Sequence, residues 1–158
     1  MITEQITQGD SLTTVSEVEL IYRSKIKPSE RPSIKRSQDA FNILLTNWDK
    51  DKIEFVEQFK VLYLNRGNSV IAIYEVSTGG LTGTVADPRL IFLAAMKLNA
   101  TALILCHNHP SGNLSPSASD TLLTAKIKNA GSFLDILVSD HIILTSEAYF
   151  SFADEGLL

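Results

Sequence analysis

The stretch from Ala102 to Asp120, ALILCHNHPSGNLSPSASD, decides how the chain is put together. Ala102 to Cys106 is almost wholly apolar, which suits a central strand covered on both faces rather than an edge strand with one wet side. His107 and His109 close that strand two positions apart, so the period-two pleat sends both imidazoles to one face. Pro110 to Leu114 has the composition of a loop. Ser115-Pro116 then opens a helix, with Leu122, Leu123, Ile127 and Ala130 expected to face inward and Gly131 to supply the stop. Asp120 stands one helical turn after Ser117 and shares its face. If the loop folds the helix back over the strand end, Asp120 meets both histidines and Ser117 stands beside them.

Two imidazoles and a carboxylate, with a fourth position left for water, form the donor set of catalytic rather than structural zinc. Such an ion lowers the pKa of its water from about 16 to about 7, and a nearby carboxylate must then carry the proton to the leaving group. Each residue also has an ordinary reading. A histidine beside Pro-Ser-Gly can make plain loop hydrogen bonds, Asp120 alone favours the helix dipole, and Ser117 alone begins a helix. The weight lies in the combination: two of the chain's three histidines, spaced by one at the end of an apolar strand, precede a capped helix that carries an aspartate.

Other hydrolytic patterns fit worse. The sequence has no HExxH, no GxSxG and no GxxxxGK[ST], and its single cysteine cannot supply the PCxxC of the zinc deaminases. Cys106 adjoins His107, but neighbours on a strand point to opposite faces, so Cys106 reads as core packing rather than as a nucleophile.

Outward from this segment, Asp87-Pro88 reads as a helix cap and first helical residue, followed by an apolar stripe of Leu90, Ile91, Ala94, Ala95 and Leu98. Phe59 to Leu64 and Val70 to Val76 are strands joined by the turn-like Asn65-Arg66-Gly67-Asn68 and should pair as an antiparallel hairpin. The run Ser77 to Thr84 is too rich in glycine and threonine to assign beyond a strand edge. A helix is expected over Ser37 to Leu45 with Ser37 as its cap, and short strands over Ile136–Val138, His141–Leu144 and Tyr149–Phe152. The class is α/β, a mixed and partly antiparallel sheet flanked by helices.

Residues 1–36 read as a polar leader and connector, and residues 37–158 as the one folded domain. Val15 to Ile26 has apolar spacing that fits a short strand or helix. Lys27 to Arg36, KPSERPSIKR, sets two prolines among basic residues and reads as an extended surface arm; a basic patch for nucleic acid is its alternative reading. The net charge of −4 disfavours nucleic acid as an obligatory partner. Forty-four per cent hydrophobic residues in 158 are enough for one core and too few for two domains and a linker. No apolar run reaches membrane-span length, and Met1 to Ser11 lacks the basic and apolar regions of a signal peptide, so a cytoplasmic protein is expected.

The run HNHPSGNLSPSASD also fits His-x-His-x₇-Ser-x₂-Asp, the motif of the JAMM or MPN+ metalloproteases, and its HNHPSG form resembles the RadC family of bacterial proteins. The similarity extends over GTVADPRLIFLAAMKLNA before the motif and LDILVSDHIILTSEAYFSFADEGLL after it, roughly Ile53 to Leu158. The resemblance implies a cytidine-deaminase-like fold and one zinc ion per chain, with His107, His109 and Asp120 as ligands. It makes Ser117 the support for the water or the developing oxyanion. It also implies a glutamate base just before the first core strand, where Glu57 stands, although the residues alone do not choose it over Glu54 or Glu75. The implied reaction is hydrolysis of an amide or isopeptide in a peptide or protein substrate. RadC-like proteins typically carry an amino-terminal helix-hairpin-helix region, which the polar leader here does not match, and this weakens a DNA-repair role. A nucleic-acid-associated accessory protein, and a binding domain on a degenerate metal scaffold, are the competing readings.

Overall fold

The computed structural model describes Val15, Glu19 and residues 21–79 and 85–158. In chain order these form α1 (Ser37–Thr46), β1 (Gln58–Leu64), β2 (Val70–Thr78), α2 (Pro88–Lys97), β3 (Ala102–Asn108), α3 (Ala118–Phe133), β4 (Leu137–Leu144) and β5 (Tyr149–Ser151). The sheet order is β2-β1-β3-β4-β5. Only β3 and β4 run parallel, joined by the α3 crossover, and the other neighbours are antiparallel. The class is the mixed α/β expected from the sequence.

The apolar run of β3 has its explanation in this order: it is the middle strand, and all seven of its residues are buried. Alternation divides its side chains between two cores. Ile104 and Cys106 join Ala40, Phe41 and Leu44 of α1 on one face. Leu103 and Leu105 meet Ile91, Phe92 and Ala95 of α2 and Ile127 of α3 on the other. His107 continues the second series, so it leaves the sheet on the α2–α3 side, away from Cys106.

The hairpin forms as expected, turned by Asn65, whose Oδ1 accepts from the N–H groups of Gly67 and Ser69 at 3.0 and 2.9 Å. β2 runs on to Thr78, while residues 80–84 of the glycine and threonine run lie outside the described residues. The two segments read as separate strands around Ser139-Asp140 are one strand, β4. Its polar break does not break the ladder, because Ser139 is the extra residue of a bulge and the buried Asp140 carboxylate accepts from Ser151 Oγ and Ala153 N–H. Desolvation raises the Asp140 pKa above its ordinary value, against these hydrogen bonds.

Three local expectations need correction. Arg36, not Ser37, holds the cap position of α1, and the Asp39 carboxylate closes that end by accepting from Lys35 and Arg36 N–H. Leu90 and Leu122 face solvent, the buried stripe of α3 being Thr124, Ile127 and Gly131. Gly131 does not stop α3. The helix runs to Phe133 and ends on a Schellman turn in which Asp135 takes φ 53° and Ile136 N–H bonds Gly131 O at 3.0 Å. Gly131 is there for room: a Cβ would collide with Ile136 O and touch the Phe92 ring. Gly131→Ala is therefore expected to destabilise the fold by about 1–3 kcal/mol in denaturant unfolding, despite alanine's better helix propensity. A stabilised variant would contradict this packing account.

Of Val15 to Ile26, residues 16–18 and 20 lie outside the described residues, and 21–26 carry neither helix nor strand. After a single 3-10 turn at Pro28–Glu30, the arm runs along the hairpin turn, where Ile34 N–H donates to Asn68 O at 2.9 Å and the Ile34 side chain enters the core. No helix among the described residues is long and apolar enough to cross a membrane.

Candidate metal centre

β3 ends at Asn108, and the loop that follows folds α3 back over the strand end. His109 N–H donates to Leu144 O at 3.0 Å, which holds the exit of β3 against its parallel neighbour. Gly112, at φ 81°, makes a turn that other residues rarely adopt. The loop then returns Asn113 O to His109 Nδ1 at 2.5 Å, so the other ring nitrogen faces inward.

α3 begins on a capping box. Asp120 Oδ2 accepts from Ser117 N–H and Oγ at 2.7 and 2.6 Å, and Asp120 N–H donates back to Ser117 Oγ at 3.1 Å. The ordinary readings of Ser117 and Asp120 as helix-start residues therefore hold. They use only one carboxylate oxygen. The other, Oδ1, lies 3.5 Å from His107 Nε2, and His107 Nε2 lies 2.9 Å from His109 Nε2.

His107, His109 and Asp120 thus bring ligand atoms within 4.8 Å of one another, the group that can hold a metal ion among the described residues. Tetrahedral coordination with bonds of about 2.0–2.1 Å sets ligand atoms about 3.3 Å apart. The two separations from His107, 2.9 and 3.5 Å, bracket that value, and two imidazoles with a carboxylate suit a borderline-soft divalent ion. Burial pushes the His107 pKa down to about 4, with Asp120 acting in the opposite direction and His109 adding to the fall. A neutral imidazole is the form that ligates.

Around this cluster the structure sorts the remaining candidates. Glu75 pairs in register with Lys60, which pairs with Cys106, so it belongs to the opposite face of the sheet, where its carboxylate binds Lys60 at 3.5 Å and accepts from Thr78 at 2.7 Å. Glu54 lines a cleft of about 300 Å³ with Ile53, His109, Pro110 and Thr145, and accepts from Ser146 Oγ at 2.7 Å. Glu57 is half-buried and directly precedes β1, where its carbonyl continues the ladder by accepting from Gly79 N–H at 2.8 Å. Two residues on, Phe59 pairs with His107 and stacks on its ring at 6.0 Å. Cys106 is fully buried, and desolvation raises its thiol pKa far above the ordinary range, the state of a packing residue.

Two groups at the site escape a reading of the sequence. Asn108, between His107 and His109, accepts from Gln58 N–H at 2.7 Å and donates to Ile53 O and Val56 O at 2.7 and 2.9 Å. His141, fully buried on β4, sets Nε2 2.9 Å from His107 Nδ1 and Nδ1 2.6 Å from Thr124 Oγ1. The available signal for His141 was a polar Asp-His pair inside an apolar strand. It could not name the partner, because a parallel register is not written in either strand.

A model of the RadC-like JAB domain matches residues 34–157. A UPF0758 protein of Flavobacterium johnsoniae is 41% identical over 153 residues, 96% of this chain and 66% of the relative. A UPF0758 protein of Fusobacterium nucleatum is 37% identical over 141 residues, 88% of this chain and 61% of the relative. One of Porphyromonas gingivalis is 46% identical over 103 residues, 65% of this chain and 45% of the relative. The chain thus spans no more than about two thirds of the length of these curated relatives.

Proposed function

Because the chain belongs to the RadC-like JAB domain family, we propose that it is a zinc-dependent peptidase or isopeptidase whose ion is held by His107, His109 and Asp120. The observation that carries this reading is the convergence of those three ligand atoms at the end of the central strand, beside a cleft. When bound there, the ion supplies Lewis-acid polarisation of a carbonyl and acidifies water. A cleft of about 300 Å³ lies beside His109, and a peptide or protein substrate is proposed to enter there.

Glu57 is the base in this reading. Continued one residue before β1, the alternation from Phe59 puts residue 57 on the sheet face that carries His107, whereas Glu75 belongs to the other face. Glu57 takes the proton of the attacking water and returns it to the leaving amine. Ser117 now gives its hydroxyl proton to Asp120 Oδ2. Turning that proton toward the carbonyl oxygen as charge develops leaves Oδ2 still held by Ser117 N–H at 2.7 Å, so the ligand keeps its place while the hydroxyl changes partner.

The test is elemental analysis and peptide-library hydrolysis on the purified chain. One zinc per chain, absent in Asp120→Ala, and amide hydrolysis abolished by chelation and restored by zinc are expected. A chain that takes up no zinc sinks the proposal, as does one that holds iron in its place, since two histidines and a carboxylate also serve oxygen-activating iron.

A further inference from the structure

The geometry points to a proton-ordered relay, Asp120 O–Thr124–His141–His107, that fixes the His107 ring with Nε2 as a bare lone pair facing the site. The inference rests on the metal reading above and goes beyond it, assigning positioning roles to two residues that touch neither ion nor substrate.

The order follows from one fixed acceptor. Thr124 Oγ1 lies 2.6 Å from Asp120 O, and a carbonyl oxygen only accepts, so the single hydroxyl proton of Thr124 is spent there. Thr124 Oγ1 must then accept from His141 Nδ1, also at 2.6 Å. A neutral imidazole carries one ring proton, so His141 Nε2 is bare and accepts from His107 Nδ1 at 2.9 Å. His107 Nε2 is therefore bare as well. His109 reaches the same state by a shorter route, because its Nδ1 can only donate to Asn113 O.

Two consequences follow. All three histidines of the chain carry the proton on Nδ1, the tautomer that free histidine in water favours less. Two lone pairs also face each other 2.9 Å apart, an arrangement that repels until a cation lies between them. The relay starts at the backbone of one ligand, Asp120, and ends on the ring of another, so the packing of α3 against the strand also fixes the tautomer of His107. Packing reinforces it: Phe152 stacks on His141 at 4.8 Å. Outer partners of ligating histidines commonly set tautomer and orientation in this way.

The experiment uses the full chain with ¹⁵N-labelled imidazoles, which give three ring systems. Two-bond ¹H–¹⁵N correlation of the metal-free protein is expected to show His107 protonated at Nδ1, and at Nε2 in His141→Phe. In that variant His107 donates to His109, and zinc affinity, measured by competition with a chromophoric chelator, falls about 10–100-fold. His141→Gln, whose amide oxygen can stand where Nε2 stood, is expected to recover at least tenfold of that loss. Thr124→Val, close in shape but without the hydroxyl, is expected to weaken zinc about tenfold with the fold intact by thermal unfolding. The inference is overturned if His107 carries its proton on Nε2 in the original chain, if both Phe and Val variants bind zinc within threefold of it, or if Gln is as weak as Phe. An original chain with the Nδ1 tautomer but no zinc uptake sinks the hydrolase reading and leaves the relay standing.

Discussion

A chain carrying Glu57→Gln is expected to retain stoichiometric zinc and to lose about 10²–10⁴-fold in kcat for amide hydrolysis, the usual worth of a positioned general base. The amide keeps the size and hydrogen-bonding reach of the carboxylate but cannot accept the water proton. Metal retention is the informative half, because Glu57 lies outside the ligand set. Glu54→Gln is the matched control: Glu54 lines the cleft, its Oε1 already holds Ser146, and its loss should change kcat less than about tenfold. If the two variants exchange these outcomes, Glu54 is the base. If Glu57→Gln loses zinc, Glu57 is a ligand and the three-residue set is incomplete. Activity within threefold of the original in both variants would remove general-base catalysis by either acid.

What made the candidate metal cluster legible was locality. His107 and His109 are fixed by the period of one strand, and Asp120 and Ser117 by one turn of one helix, so two short periodicities place four side chains with no knowledge of the sheet order. The capping box that orients Asp120 is itself a local motif. The same locality explains what was misread. Gly131 resembles a helix stop because glycine usually ends helices, yet its reason lies across the fold in Phe92 and Ile136 O. Leu122 fits a helical stripe, yet the buried face of α3 runs through Thr124, Ile127 and Gly131, and the Thr124 hydroxyl meets His141 there. His141 itself depends on the parallel register of β3 and β4, which pairs His107 with Ile143 and brings in a histidine from two positions earlier on its strand. Long-range polar partnerships leave no period in the sequence, and at this site one of them joins His107 to His141 and Thr124.

Asn108→Ala is expected to be among the most damaging changes in the chain that removes no ligand. Its side chain is fully buried on the face opposite His107 and His109 and holds three main-chain groups of one segment, Ile53 O, Val56 O and Gln58 N–H. That segment carries Glu57. Deleting the amide leaves buried carbonyls and an N–H without partners, which costs about 2–4 kcal/mol after partial relaxation. For a chain of this size that corresponds to a melting temperature lowered by roughly 5–15 °C. Stability alone does not separate packing from function, so the discriminating variant is Asn108→Asp. It keeps the acceptor for Gln58 N–H but turns acceptors toward both carbonyls, and should free Ile53 to Val56 while β1 and β3 stay paired. At a temperature where that variant is still folded, zinc affinity should stay within a few-fold, because His107 and His109 are held from β4 and from Asn113. Its kcat should fall by about 10²-fold, the scale expected when a base is displaced by about an ångström from its water. Zinc lost in step with activity would mean that Asn108 supports the strand end as a whole, and the link from Asn108 through its segment to Glu57 would be wrong.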